Sequence, residues 1–150
     1  MKNPSEQTLT ARMKEFEHAC RKDDLKVTHQ RLEIYRELAR AKDHPSAEML
    51  YKRIIKRLPT ISLDTVYRTL ATCEKHGLIT RVHTIESHAR FEAEMTSHHH
   101  AICRKCGAIT DFTWDALDNL ALPEELKGWG KVRKRSASLE GLCKPCSDKR

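Results

Sequence analysis

Four cysteines in two Cys-x-x-Cys pairs are the residues whose types and spacing most clearly specify chemistry. Cys103 and Cys106 form one pair, Cys143 and Cys146 form the other, and 36 residues separate the two pairs. Four thiolates can close a tetrahedral site around one ion, and this ligand set suits zinc. The spacing therefore predicts a structural zinc that ties together the ends of a small lobe. Two disulfides or four unrelated thiols are the alternatives.

Three consecutive histidines precede the first cysteine pair and suggest a second kind of metal site. Side chains alternate along an extended strand, so His98 and His100 should face one side and His99 the other. A His-x-His pair on one face can bind a single ion, and imidazole suits zinc, copper, nickel and iron alike. A solvated histidine cluster without a metal is the alternative interpretation.

The composition favours a basic protein that binds a polyanion. The chain has 150 residues, 39% hydrophobic and 33% charged, with a formal net charge of +7 and an isoelectric point near 9.2. This length fits one domain or two small ones, and the positive charge favours nucleic acid as a partner. No apolar run approaches the roughly 20 residues of a membrane span, and no signal peptide opens the chain. With metal-binding rather than disulfide-forming cysteines, these features predict a cytoplasmic protein without a membrane partner.

The half of the chain that precedes the histidines has the pattern of a helical DNA-binding domain. Apolar residues recur at helical spacing, Thr28, Ser46 and Ser62 stand where N-caps are needed, and Gly77 stands where a helix should end. Two short helices joined by a brief break are the helix-turn-helix arrangement. The predicted helices run from Leu9 to about Asp23, from Thr28 to Ala39, from Ser46 to about Leu58 and from Leu63 to about His76.

The last of these helices should present a polar face to a DNA groove. Leu63, Val66, Leu70 and Cys73 cluster on one side of it, which predicts a buried face. The opposite side offers hydrogen-bonding and cationic groups, as a helix in the major groove should. An ordinary solvated helix face is the alternative. The candidate DNA contacts are Thr65, Tyr67, Arg68 and Thr72 on this helix, and Arg31 near the start of the second helix, where it should face solvent.

Extended segments follow the helices. Leu78 to Thr84 and Arg90 to Ala93, joined by a polar turn at Glu86-Ser87-His88, predict a hairpin that completes a winged helix. Later segments predict three more strands and a helix: His98–Cys103, Ala108–Thr113, Lys131–Leu139 and the helix Asp115–Leu122. The expected fold class is therefore α+β, with an N-terminal winged helix over residues 1–86, a linker over 87–97, and a small α/β domain over 98–150.

The ordered set of these motifs resembles the Fur family of metal-responsive repressors. The resemblance covers nearly the whole chain, and it rests on the joint order and spacing of seven short segments. It implies a homodimer that binds a double-stranded DNA operator through the winged helix, with the α/β domain as the dimerisation domain. The segments are Val27–Arg31, His44–Glu48, Ile61–Leu70, Gly77–Ile79, Arg90–Glu92, His98–Gly107 and Gly141–Cys146.

The resemblance also implies a regulatory metal in the hinge between the two domains. One ion held by both domains would fix their relative angle, so that both recognition helices of the dimer meet successive major grooves. Imidazoles and carboxylates fit a divalent ion such as Fe(II) or Mn(II). Tyr67 and Arg68 match positions that contact DNA in the family. Carried over by position, the metal ligands are His44, Glu92, His98, His100 and Asp111.

Two ligand positions point to different branches of the family. The peroxide-sensing PerR branch has aspartate where this chain has Asp111, whereas iron-sensing Fur proteins more often have glutamate there. Glu92 points the other way, towards Fur. Some Fur proteins carry a further site, one of whose histidines would fall at Arg135, and Arg135 cannot bind a cation. Residues 82–97 contain no cysteine, which disfavours the zinc-sensing branch. We therefore favour a peroxide sensor, with an iron-responsive repressor of metal uptake as the alternative.

In the PerR branch, sensing is the iron-catalysed oxidation of histidine ligands, which here would be His44 and His98.

The alternative from another class is an enzyme, either a zinc hydrolase or a zinc-containing CxxC oxidoreductase. A site closed by four thiolates has no open position for catalysis. A thioredoxin-like pair would begin a helix, whereas Gly107 and strand-like residues follow Cys106. The sequence therefore predicts a regulator and not an enzyme.

Overall fold

A computed structural model describes residues 6–84 and 88–149 of the chain. The chain divides into two compact units, Met1–Met95 and Thr96–Arg150. We call them unit 1 and unit 2. In the parts of the chain that the structure describes, no helix is both long and apolar enough to cross a membrane.

The described residues of unit 1 form four helices and a two-stranded hairpin. Hydroxyl side chains begin three of the helices: the side chains of Thr28, Ser46 and Ser62 each accept a hydrogen bond from a backbone N–H three residues further on. Such caps satisfy donors that would otherwise lack a partner in the first turn. The elements are α1 (Glu6–Lys22), α2 (His29–Arg40), α3 (Ala47–Ile54), α4 (Leu63–Lys75), β1 (Thr80–Val82) and β2 (Arg90–Glu92).

The apolar faces of these helices share one core. Ile34, Leu50, Ile54 and Val66 are completely buried, and the core continues to Phe91 on the hairpin. Cys73, which was predicted on the buried face of its helix, is buried in this core, and so is Cys20; both act as packing residues there. The core fixes one face of α4 and leaves its opposite face to the solvent.

The third helix is shorter than predicted. It ends at Ile54, not near Leu58, and the backbone N–H groups of Arg57 and Leu58 both bond to the Ile54 carbonyl. Pro59 follows directly, and a residue that precedes proline is disfavoured in helical conformation. The apolar pattern continues past the end of the helix, because Ile55 and Leu58 still pack against the core from a turn.

The hairpin is also shorter than predicted. β1 and β2 pair antiparallel, with Thr80 opposite Glu92 and Val82 opposite Arg90. Gly77 ends α4 with a φ of +70°, as predicted for a glycine just after a helix. Of the predicted Glu86-Ser87-His88 turn, Glu86 and Ser87 lie outside the described residues.

Unit 2 is a three-stranded sheet with short helices. β3 is central, pairs antiparallel with β4 and parallel with β5, and carries the buried Ile102 opposite the buried Ile109. The elements are β3 (His99–Cys103), β4 (Ile109–Phe112), α5 (Asp115–Asp118), a 3-10 turn (Glu124–Leu126), β5 (Ser138–Gly141) and α6 (Lys144–Asp148).

Two predictions for unit 2 are wrong. The third strand begins at Ser138, not Lys131, because hydrogen bonds that involve side chains hold much of the preceding segment. The Arg135 guanidinium donates to the carbonyls of Leu117 and Leu120, both at 2.7 Å, and the Ala137 N–H donates to Nδ1 of His99 at 2.9 Å. The helix predicted over Asp115–Leu122 is a single turn, and the sequence analysis missed α6.

Candidate metal centres and DNA-binding surface

The four predicted zinc ligands form one cluster in unit 2. All four cysteines are free thiols, and their sulfur atoms lie within 4.8 Å of one another. The Cys106 and Cys143 sulfurs are 3.7 Å apart. Zinc–sulfur bonds of about 2.3 Å in tetrahedral geometry place two ligands about 3.8 Å apart, so the cluster has the dimensions of a zinc site. The disulfide alternative is not what the structure contains.

Strand pairing explains how cysteines so distant in sequence meet. Cys103 ends β3 and lies opposite Gly141 of the parallel strand β5, two residues before Cys143. Each pair then makes a tight turn: the Gly107 N–H bonds to the Cys103 carbonyl at 3.0 Å, and the Cys146 N–H to the Cys143 carbonyl at 3.0 Å. The two turns therefore present their sulfur atoms to the same point.

The electrostatics of the cluster favour a bound cation. Backbone N–H groups, chiefly that of Cys106, lower the pKa of Cys103 to about 6. Hydrogen bonding to Cys143 and the neighbouring sulfurs raises the pKa of Cys146 to about 12. The protein alone therefore stabilises the thiolate of Cys103, while Cys146 keeps its proton because its thiol is hydrogen-bonded to the neighbouring sulfurs. A divalent ion removes this difference, since it stabilises all four thiolates at once.

A second group of candidate ligands lies on the neighbouring strands β3 and β4 of unit 2 and just before β3. His100 and Asp111 are opposite each other on β3 and β4, with the His100 Nε2 3.4 Å from an Asp111 oxygen. The His98 Nε2 is 4.0 Å from the same oxygen, and the two imidazole rings are 4.8 Å apart. The His98 Nδ1 lies 2.6 Å from the Thr96 carbonyl, which fixes that nitrogen as the donor and leaves Nε2 as the atom that could bind a metal.

His99 faces the other side of β3, as the alternation of the strand predicts. Its ring is completely buried, its Nδ1 accepts from the Ala137 N–H, and its Nε2 donates to Asp118 at 2.8 Å. Both ring nitrogens are therefore used to hold α5 and the segment before β5 against the sheet. These contacts of His99 are structural, and His98 and His100 are the candidate ligands of this segment.

Unit 1 contains a further histidine–carboxylate pair. The His44 Nε2 is 3.0 Å from a Glu92 oxygen, and both side chains are buried, at 4% and 7% exposure. Burial of such a pair is costly unless each group is neutralised by a partner or by a metal. His44 lies in the loop before α3 and Glu92 ends β2, so two elements of unit 1 present one nitrogen and one oxygen ligand together.

The outer face of α4 carries the predicted DNA contacts. Arg68 is 81% exposed and pairs with Asp64 at 2.9 Å, and Tyr67 is 45% exposed and donates its hydroxyl hydrogen bond to Glu48 of α3. Thr65 bonds to the Ser62 hydroxyl and Thr72 donates to the Arg68 carbonyl. Tyr67 and Arg68 are exposed, whereas Thr65 and Thr72 are half-buried. The sequence analysis missed the acidic partners of Tyr67 and Arg68, for which i,i+4 spacing gives a signal only in the case of Asp64.

Arg31 does not extend into solvent as predicted. It is half-buried, and its guanidinium donates to the Lys26 carbonyl at 2.8 Å, just before α2 begins. This bond anchors the turn that leads into the helix, an arrangement that the sequence pattern does not reveal. A contact between Arg31 and DNA stays a prediction.

The comparison with known proteins identifies the family. The sequence profile of the Ferric uptake regulator family matches residues 22–136. The chain belongs to the ferric uptake regulator family. Regulators of this family are dimeric, DNA-binding, metal-responsive repressors.

Relatives from both branches are similar to this chain. The peroxide operon regulator of Bacillus subtilis (strain 168) is 31% identical over 138 residues, which make up 91% of this chain and 94% of that protein. The Helicobacter pylori ferric uptake regulator Fur, a solved structure with three functional metal binding sites, matches with a TM-score of 0.79 at 28% identity over 99% of both chains. The Francisella tularensis ferric uptake regulator with iron matches with a TM-score of 0.72 at 26% identity, over 83% of this chain and 96% of that chain. These structures confirm the predicted α+β fold class.

Proposed function

We propose that this chain is a peroxide-sensing, metal-dependent transcriptional repressor that acts as a homodimer on duplex operator DNA. The observation that carries the proposal is the ligand group of unit 2, in which the Asp111 carboxylate faces the Nε2 atoms of His98 and His100. Aspartate at this position is typical of the peroxide-sensing branch. The similarity to the Bacillus subtilis peroxide operon regulator over 91% of the chain supports the same branch.

The four cysteines have a structural role in this proposal. Zinc bound to Cys103, Cys106, Cys143 and Cys146 would leave no coordination position open for chemistry. It would join the end of β3 to α6 and hold unit 2 in the form that dimerises. Sensing then falls to the histidine and carboxylate ligands.

We further propose that the two ligand groups bind one regulatory ion. His44 and Glu92 from unit 1 would join His98, His100 and Asp111 from unit 2 around a single Fe(II) or Mn(II), for which nitrogen and oxygen ligands are suited. Each group alone offers two or three ligands, fewer than these ions prefer. A shared ion would bind the state of the protein that is competent for DNA and shift the population towards it.

Oxidation of a ligand would end repression. Bound iron, when present, supplies the redox chemistry that cleaves the O–O bond of hydrogen peroxide. One peroxide oxygen replaces the hydrogen on an imidazole carbon of His44 or His98, that hydrogen moves to the ring nitrogen, and the second oxygen leaves as water. The resulting 2-oxo-histidine would be a poor ligand, so the oxidised residue would no longer hold the ion and the operator would be released.

Metal-loaded dimers test the proposal on a duplex that the protein itself selects from a random-sequence pool. We expect the iron and manganese forms to bind this duplex equally before treatment, and only the iron form to release it after a low dose of peroxide. If neither form releases the duplex after peroxide and binding is lost only when the metal is removed, peroxide sensing is contradicted.

A second function has a specific residue in its favour. Glu92 is glutamate, as is typical of iron-responsive Fur proteins, and it contacts His44 directly at 3.0 Å. In that case iron availability alone would set occupancy of the ligand groups, and the iron form would keep its DNA after peroxide treatment. The same binding experiment therefore separates the two functions.

A further inference from the structure

The guanidinium of Arg90 holds the backbone of the loop that carries His44. From β2, its Nη2 donates to the Asp43 carbonyl at 2.9 Å, and its Nε donates to the His44 carbonyl. The planar fork of an arginine suits two acceptors that lie side by side. One side chain therefore grips two successive peptide groups of this loop.

These two hydrogen bonds hold a residue whose backbone conformation is uncommon. His44 has a φ of +51°, in the left-handed region that residues other than glycine seldom adopt. Such a conformation is unfavourable in itself and persists only where the surroundings enforce it. Here a backbone bond from the Phe91 N–H to the Pro45 carbonyl, at 3.0 Å, adds to the two bonds from Arg90. Three hydrogen bonds from β2 thus fix residues 43–45.

The same strand that holds the His44 backbone also carries the partner of its ring. Arg90 and Glu92 are two residues apart on β2, so their side chains leave the same face of the strand. Arg90 fixes the position of the His44 peptide, and Glu92 meets the His44 Nε2 at 3.0 Å. Side-chain direction follows backbone conformation, so release of the peptide would move the ring away from Glu92.

A second arginine supports the loop from the other side. Arg53 of α3 forms a two-pronged pair with the Asp43 carboxylate, and its Nη1 lies 3.1 Å from Oδ1. The loop is thus held through the Asp43 side chain by α3 and through its carbonyls by β2. A turn between two helices does not need two arginines to hold its backbone and its side chain in place.

We propose that Arg90 is a positioning residue for the metal ligand His44: its fork imposes the left-handed backbone that aims the imidazole at the ion shared with Glu92. The inference rests on the proposed role of His44 as a ligand. It requires a forked donor and not merely a positive charge, so lysine should replace arginine poorly at this position. Partners that orient a ligand from outside the coordination sphere typically change metal affinity 10–100-fold.

The test is Co(II) binding to the zinc-loaded chain, followed by the visible absorption of the bound ion. We expect Arg90→Met and Arg90→Lys each to weaken Co(II) binding at the histidine site by about 10–100-fold and to change the absorption bands, which report ligand geometry. Arg81→Met is the matched control on the partner strand, since Arg81 bonds to Glu74 instead. Wild-type affinity and spectrum in Arg90→Lys would overturn the inference.

His44→Ala separates failure of the inference from failure of the proposed site. If His44→Ala binds Co(II) like the wild type, His44 is not a ligand and the proposed function is wrong at its site. If His44→Ala loses binding while both Arg90 variants retain it, the site stands and the positioning role is overturned. Unchanged thermal unfolding of the metal-free Arg90 variants would show that the effect is local to the loop.

Discussion

Zinc removal should unfold unit 2 and leave unit 1 folded. Among the described residues, the buried apolar side chains of unit 2 are Ile102, Cys103 and Ile109, whereas sixteen buried residues form the core of unit 1. Burial of two isoleucines contributes about 3–6 kcal/mol, at roughly 1.5–3 kcal/mol each. A structural zinc contributes about 10–16 kcal/mol in apparent binding energy. The ion is therefore the dominant stabilising term of unit 2.

The six thiols provide the assay and its internal control. In the zinc-loaded protein, a thiol reagent at neutral pH should react slowly with every cysteine. After treatment with a chelator, four thiols should react quickly, and the amide protons of β3, β4 and β5 should lose protection from exchange. Cys20 and Cys73 should stay unreactive until denaturant unfolds unit 1, because both are buried and burial raises the pKa of Cys73 to about 12.

Two results would refute this reasoning. Retained exchange protection in the strands of unit 2 after complete zinc removal would mean that packing, not the ion, holds the sheet. Simultaneous reaction of all six thiols would mean that the two units unfold together. A Cys103→Ser variant should reproduce the chelated state without a chelator, with slow reaction of Cys20 and Cys73 preserved.

Three further predictions concern unit 1. Leu50→Ala, at a completely buried position, should lower the free energy of unfolding by about 2–5 kcal/mol in denaturant titrations; a loss below 1 kcal/mol would contradict its core role. Arg68→Ala should weaken operator binding by about 1–3 kcal/mol. The free energy of unfolding should not change, because the Arg68–Asp64 pair is exposed. A loss of binding no larger than that of Lys75→Ala would exclude Arg68 from the interface. The hydrogen bond from Tyr67 lowers the pKa of Glu48, so its contribution to stability is present above the ordinary carboxyl pKa and is lost as the pH falls through the lowered value. Tyr67→Phe should therefore raise the pKa of Glu48 in an NMR titration. An unchanged pKa would contradict the bond.

Local features of the sequence predicted the parts of the fold that depend on local physics. A hydroxyl residue before an apolar stripe is enough for an N-cap, so Thr28, Ser46 and Ser62 were predictable. The Cys-x-x-Cys pairs were also predictable from local sequence, because each pair forms a tight turn within its own few residues. The alternation of His98, His99 and His100 follows from the strand alone, and it separates the two candidate ligands from the buried His99.

Features that depend on distant partners were not predictable. The segment before β5 looks extended, yet Arg135 and Ala137 bond to residues 15 to 38 positions away, which no periodicity encodes. The left-handed backbone of His44 leaves no trace in the sequence, and its cause, Arg90, lies 46 residues further on. The joining of the two ligand groups around one ion rests on the family resemblance and stays a proposal.

Mass spectrometry of the peroxide-treated protein tests the central claim most directly. The dimer is loaded with Fe(II) or with Mn(II), exposed to a low dose of hydrogen peroxide, and digested. Peroxide sensing predicts that the peptides containing His44 or His98 gain one oxygen in the iron form alone, in proportion to the operator released. Two results would contradict peroxide sensing by histidine oxidation. One is an iron-loaded protein that releases its DNA with both histidines unmodified, and the other is operator release in proportion to oxidation of the cysteines instead.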